Sequence, residues 1–290
     1  MTAPKRSRLE TITAGRPDFA PFLALVEITA VEAREPVWDA LASDGGLRLA
    51  ADRAPDAPLL DGAEVSVPPS AAQRLLSRLL AAAGRRGAAR SSRLDALAVL
   101  EAAIAHDHAR LDGLAAELDL GDALPPLAQL AAAPLLQACG RALAPRVPPG
   151  FAHGHCPICG AWPTMAEVRG LERRRHLRCG RCGGDWRMDE LVCPFCQQDD
   201  HRRLVALVPE TGGEARKVDA CEACRGYVKS LATLTAWSGA SVLLEDLDTV
   251  ELDLAAQGRG YTRPAEPGRR AAVRVVPAPE KPRRSWGIFS

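Results

Sequence analysis

Four Cys-x-x-Cys pairs carry the chemistry this chain could do: Cys156/Cys159, Cys179/Cys182, Cys193/Cys196 and Cys221/Cys224. They hold eight of the nine cysteines. Each pair has the spacing of a metal knuckle, a tight turn that aims two thiolates at one point, and two knuckles complete a tetrahedral four-sulfur site. Four knuckles therefore predict two metal sites. Residues 160–178, 19 in number, separate the first two pairs, and residues 197–220, 24 in number, separate the last two. Such similar units favour sequential pairing, with Cys156, Cys159, Cys179 and Cys182 on one ion and Cys193, Cys196, Cys221 and Cys224 on the other. An interleaved pairing would cross two hairpins, against the preference for local, uncrossed connections. Four thiolates suit zinc and mononuclear iron alike. With every position filled by sulfur, neither site activates water, which argues against hydrolytic metal catalysis. His153, His155 and His176 could each replace a cysteine, but a full set of sulfurs makes that unnecessary.

These knuckles need short hairpins to hold them. Ala166 to Arg169 and Arg175 to Arg178 read as strands around Gly170. Leu204 to Val208 and Arg216 to Asp219 read as strands around Thr211, Gly212 and Gly213. Gly160 and Gly183 follow the second cysteine of their pairs, where a left-handed residue is often required, and Pro157 pre-sets a turn angle. The pattern is knuckle, hairpin, knuckle, twice: a zinc-ribbon or rubredoxin-like unit. Arg173, Arg174, Arg175, Arg178 and Arg187 lie near Asp185, Asp189 and Glu190, a mixed-charge ribbon face with Trp186 as its nearby aromatic. Tyr227 to Thr235 is expected to start a helix. Acidic residues alternate with Leu243, Leu244, Leu247, Val250, Leu252 and Leu254 in a short helix or strand. The Pro- and Arg-rich segment from Thr262 to Ser290 is expected to be a disordered tail, whose end, Trp286 to Phe289, could be a docking peptide.

The first half supplies helices and no motif for catalysis. Asp18 could cap a helix to about Arg34, and Val37 to Ala42 suits a second. Residues 50 to 69 carry four prolines and read as a surface connection. Ser70 could cap a helix with Leu75, Leu76, Leu79 and Leu80 on one side. Ser92 opens the longest expected helix, through Leu94 and Ile104 to about Leu118. A last helix starts at Pro125 and Pro126, with Pro134 expected to kink or split it. There is no nucleotide loop and no nucleophile elbow. His106 and His108 sit two apart and do not share a helical face. Cys139 reads as a core residue.

The chain has 290 residues, with 37 basic against 36 acidic side chains and 47% hydrophobic residues. That length suits two or three domains. A net charge of +1 gives no global attraction to nucleic acid or anionic membranes. No apolar run approaches the roughly 18 residues of a membrane helix, and no secretory signal is read. A cytoplasmic chain keeps its thiols reduced, so paired cysteines there point to metal.

The metal region resembles the formate dehydrogenase accessory protein family, FdhE. The likeness rests on Cys156-Pro-Ile-Cys-Gly, Arg175-His-Leu-Arg-Cys-Gly-Arg-Cys, Asp185-Trp-Arg-Met, Val192-Cys-Pro-Phe-Cys and Asp219-Ala-Cys-Glu-Ala-Cys-Arg-Gly-Tyr-Val-Lys. Leu244-Glu-Asp-Leu-Asp and Gly260-Tyr-Thr-Arg extend it to about residue 263. The resemblance implies a cytoplasmic factor needed to make active formate dehydrogenase, which binds the catalytic subunit. It also implies iron held in rubredoxin-like fashion by all eight paired cysteines.

The expected fold is α+β: an all-α helical domain (1–148), a first four-cysteine ribbon (149–190), a second ribbon with a short helix (191–262) and a disordered tail (263–290). The expected function is a non-catalytic assembly factor for formate dehydrogenase. No nucleic acid and no membrane insertion are expected, and a homodimer is a further option. The alternatives are a rubredoxin-like redox protein acting on the same enzyme and a zinc-ribbon nucleic-acid binder.

Overall fold

The computed structural model describes residues 8–278 apart from 44, 85–93, 118–119 and 211–212. Ser92, Leu118, Thr211, Gly212 and the Trp286–Phe289 segment singled out in the sequence, with the helix start expected at Ser92, lie outside the described residues.

The α+β class holds. The helices are α1 (Arg8–Gly15), α2 (Ala20–Glu32), α3 (Pro36–Ser43), α4 (Pro69–Ala82), α5 (Ala96–Ile104), α6 (His108–Glu117) and α7 (Leu124–Leu143). α7 is the axis of this half and packs against α2 through α6. Its alanines, Ala128, Ala131, Ala132 and Ala138, are buried and let neighbouring helices approach closely. Around it lie Trp38, Leu75, Leu76, Leu79, Leu100, Ile104 and Leu111, all at most 2% exposed. Each such side chain contributes about 1.5–3 kcal/mol by leaving water.

Several local expectations change. The helix expected from Ser92 to Leu118 is two helices. Asp95 caps the first by accepting from the amides of Leu97 and Ala98. The break falls at His106, whose φ of 54° no α-helix accommodates. Pro134 does not split α7, because its missing N–H removes only one rung from a helix held on all sides by packing. α4 begins at Pro69 rather than behind a Ser70 cap, since Pro suits the first helical turn. Residues 50–69 are more than a connection: Glu64–Val67 forms a strand, β2. It pairs antiparallel with β1 (Leu47–Arg48) and parallel with β9 (Arg274–Pro277). The helical half therefore carries a small sheet. The tail expected to be disordered from 263 supplies one of its strands, with Val273 and Val275 buried against the helices. No helix among the described residues is long and apolar enough to cross a membrane.

The second half is one six-stranded sheet in the order β5-β4-β3-β8-β7-β6. Its strands are β3 (Met165–Arg169), β4 (Arg174–Arg178), β5 (Asp185–Arg187), β6 (Leu204–Leu207), β7 (Arg216–Cys221) and β8 (Tyr227–Thr233). Each ribbon gives three consecutive antiparallel strands, and the two triplets join edge to edge through the parallel pair β3 and β8. β8 is where a helix was expected. Its run Tyr227, Val228, Lys229, Ser230 and Leu231 is buried, as a central strand covered on both faces should be. The acidic-leucine stretch forms two helices, α8 (Ser241–Asp248) and α9 (Val250–Gln257).

Candidate metal centres

The same backbone bonds build all four Cys-x-x-Cys turns. The first cysteine's N–H donates to the carbonyl five residues on: Cys156 to Ala161 (2.8 Å), Cys179 to Gly184 (3.0 Å), Cys193 to Gln198 (2.9 Å) and Cys221 to Gly226 (2.9 Å). Its carbonyl accepts from the N–H four residues on, at Gly160, Gly183, Gln197 and Arg225. Those four residues are left-handed, with φ of 77°, 74°, 61° and 60°. The fold thus demands a left-handed residue after every second cysteine. The first two turns use glycine, which adopts it freely, and the last two hold Gln197 and Arg225 there at a cost of about 1–2 kcal/mol each.

The turns meet in the pairing the spacing predicted. The sulfurs of Cys156, Cys159, Cys179 and Cys182 lie within 4.8 Å of one another, as do those of Cys193, Cys196, Cys221 and Cys224. Sulfurs set ~2.3 Å from a central ion in a tetrahedron stand about 3.8 Å apart. Cys193 to Cys224 and Cys196 to Cys221 are each 3.7 Å, and in the first group Cys156 to Cys182 is 3.4 Å and Cys159 to Cys179 is 3.5 Å. All eight are free thiols. Each group could hold a metal ion, and the donor set fits zinc or iron. His153, His155 and His176 belong to neither group.

Electrostatics within the groups favour a cation. In the first, hydrogen bonds from the sulfurs of Cys156, Cys159 and Cys182 hold the Cys179 thiol well below the usual thiol range. Burial, with Cys159 and Cys179, pushes Cys156 well above it. Four sulfurs this close cannot all ionise unaided, and a positive ion among them removes the conflict. In the second group burial pushes Cys193 up and raises Cys224 to about 11. Burial opposes ionisation of Cys221 too, but the amides of Cys224 and Ala223 outweigh it and lower that thiol.

The surroundings of the two groups differ. The first is enclosed, with Cys156, Cys159, Cys179 and Cys182 each at most 2% exposed. Leu59 and Leu60 donate their amides to the carbonyls of Pro157 and Ile158, and Arg269 donates to Gly160. Arg181, inside the second turn, donates to the Ala103 carbonyl and Gln129 Oε1 and pairs with His106 Nε2. The first centre is thereby built into the helical half. The second is at the surface: Cys196 and Cys224 are exposed while Cys193 and Cys221 are buried. Arg225 ties one of its turns down, with its guanidinium 4.0 Å over the Tyr261 ring and bonded to the carbonyls of Arg259 and Gly260.

Two buried ion-pair networks brace the sheet, and the sequence did not announce either. Arg175 and Arg178, expected on a solvated ribbon face, are 4% and 2% exposed. Arg178 pairs with the fully buried Glu167, which also accepts from Arg169 and the Trp237 amide. Arg175 donates to the carbonyls of Asp189 and Val192 at 3.1 Å, which fixes the segment leading to Cys193. Trp186 is buried and donates to the His153 carbonyl. In the second network Lys229, with no exposure, reaches Asp253 at 2.6 Å and Asp246 at 2.9 Å. Arg263 bonds the same two carboxylates, and Tyr227 Oη donates to Asp253. This clamps α8 and α9 onto β8. The signal available was a lysine inside an apolar run; Asp246 lies on α8 and Asp253 on α9, so only packing brings the two carboxylates together.

Comparison with known proteins places these features. No family model matches the chain. It is similar to a protein FdhE homolog of Stutzerimonas stutzeri, 36% identical over 113 residues, covering 38% of this chain and 36% of that protein. It is similar to the protein FdhE of Escherichia coli O127:H6, 28% identical over 111 residues, covering 38% of this chain and 35% of the relative. The matched segment thus spans about a third of the length of these curated relatives. The crystal structure of the FdhE protein from Pseudomonas aeruginosa shares the fold over 91% of this chain and 93% of that one, with a TM-score of 0.55 and 21% identity. The resemblance to FdhE proteins read from the cysteine-bearing half is shown by these relatives.

Proposed function

Proceeding from that likeness, we propose that the chain is a formate dehydrogenase accessory protein: a non-catalytic, cytoplasmic factor that binds the catalytic subunit and is needed for its maturation. Cys156, Cys159, Cys179 and Cys182 hold one ion in this reading, and Cys193, Cys196, Cys221 and Cys224 hold the other. Iron is the ion the family resemblance favours. The observation that carries the reading is the pair of four-sulfur groups, held by four repeated turns, within a chain similar to FdhE proteins. Four-thiolate sites of this kind supply folding free energy and no vacant position for substrate. The same sheet that gathers the sulfurs is braced by buried ion pairs, which suits a rigid surface for a partner protein.

The test is a pull-down in the native host with the tagged full-length chain, together with formate dehydrogenase activity in a deletion strain. Recovery of the catalytic subunit, and lost activity restored by the wild-type chain, are expected. Full activity in the deletion strain, with no subunit recovered, would overturn the reading.

A further inference from the structure

The two sulfur groups share one turn geometry, yet they are presented to solvent very differently. The difference falls on the second cysteine of each turn. In the first group those residues, Cys159 and Cys182, are 1% and 2% exposed. They are covered because Gly140 of α7 abuts the Cys182 carbonyl and the Arg269 carbonyl abuts Gly160. In the second group the equivalent residues, Cys196 and Cys224, are exposed. Its turns also rest on Gln197 and Arg225 in the left-handed conformation, where the first group has glycines.

We propose that the two centres are functionally divided: the first is a permanent structural centre, and the second is an exchangeable one that passes its ion to, or receives it from, an external thiolate donor. This rests on the reading that both groups bind metal. Exchange at a four-sulfur site needs an incoming ligand to reach the ion before a resident sulfur leaves. Solvent access to Cys196 and Cys224 permits that approach, whereas entry to the first centre requires the helical half to separate from the ribbon. In the exchange an incoming thiol would lose its proton to solvent as its sulfur took one position on the ion, the Cys224 or Cys196 sulfur would give up that position and take a proton from solvent, and no electrons would change hands. Thiol exchange is governed by access and thiolate character in just this way.

The experiment uses the full chain carrying two equivalents of zinc, mixed without oxygen with an excess of a chromophoric chelator, with and without glutathione. Release in two phases of equal amplitude is expected, the fast one at least about tenfold quicker, a barrier difference of about 1.4 kcal/mol. Glutathione should accelerate the fast phase alone. Cys224→Ser should remove or further quicken the fast phase and leave the slow one. Because that variant could unfold its own ribbon, a second measurement uses the wild-type chain: timed alkylation read by peptide mass spectrometry should label Cys196 and Cys224 well before Cys159 and Cys182. Equal release rates for both ions, or labelling of all eight cysteines together, would overturn the division while leaving metal binding intact. A chain that takes up no zinc would sink the underlying reading as well.

Discussion

Gly140 of α7 sits so close to Cys182 that a Cβ built on it would stand 1.9 Å from the Cys182 carbonyl oxygen. The helical half and the first metal turn are thus packed backbone to backbone. Nothing at that contact can rotate aside, because the obstructing atom belongs to a turn already fixed by two hydrogen bonds and two sulfurs. The helical half accordingly acts as the cover of the first centre.

Gly140→Ala tests that contact. In an exposed helix the change would stabilise by about 1 kcal/mol. Here overpacking against backbone should reverse the sign and cost at least about 1–3 kcal/mol. Denaturant unfolding monitored by circular dichroism reads the sign, and metal content of the variant should fall by loss from the first centre.

The left-handed residues separate the two centres. Gly160→Ala forces a side chain onto a residue at φ 77° and within 1.9 Å of the Arg269 carbonyl, so a loss of at least about 2 kcal/mol is expected. Gln197→Gly relieves a left-handed side chain but frees the unfolded chain, and the two effects should nearly cancel, to within about 1 kcal/mol. Thermal unfolding of the two variants side by side checks the contrast.

Lys229→Met removes the fully buried one of the two cations that bond Asp246 and Asp253, leaving Arg263 to face both. Truncating one member of a buried charge network costs about 3–5 kcal/mol. The variant should unfold at lower denaturant, with earlier hydrogen exchange in α8 and α9 than in the helical half.

His106 gives a pH dependence of known sign. Burial and the neighbouring Arg181 guanidinium lower its pKa to about 3, from an ordinary value of 6.5. Between those values the unfolded chain binds a proton that the folded chain does not, so stability falls as the pH drops from 6.5 towards 3 and levels off below. His106→Asn keeps a residue tolerant of the left-handed backbone and removes this proton. Its stability should fall less steeply than wild type across that window, as read by chemical unfolding at several pH values. An identical slope for both proteins would contradict the assignment.

What the sequence disclosed and what it hid follow from range. The cysteine turns were legible because their chemistry is local: two sulfurs, a fixed spacing and a left-handed residue are all written within six positions. The hairpins between them were legible for the same reason. The β8 strand was misread as a helix because its neighbours, β3 and β7, come from two different ribbons, and burial on both faces erased the alternation that marks a strand. β9 was missed because a four-residue strand in a Pro- and Arg-rich segment has no signal until β2 offers it an edge. Arg175 and Arg178 read as part of a mixed-charge ribbon face because their partners, the Asp189 and Val192 carbonyls and Glu167 on β3, are brought to them only by the folded sheet. The closed character of the first centre and the open character of the second were invisible, since both have the same spacing and only packing distinguishes them.

The central claim is two four-thiolate metal centres, and it is tested most directly by elemental analysis with an absorption spectrum on protein purified without oxygen. Two equivalents of iron or zinc per chain are expected, falling to one in Cys221→Ala and to one in Cys179→Ala. Fewer than one equivalent in the wild-type chain, or two equivalents retained in either variant, would contradict it.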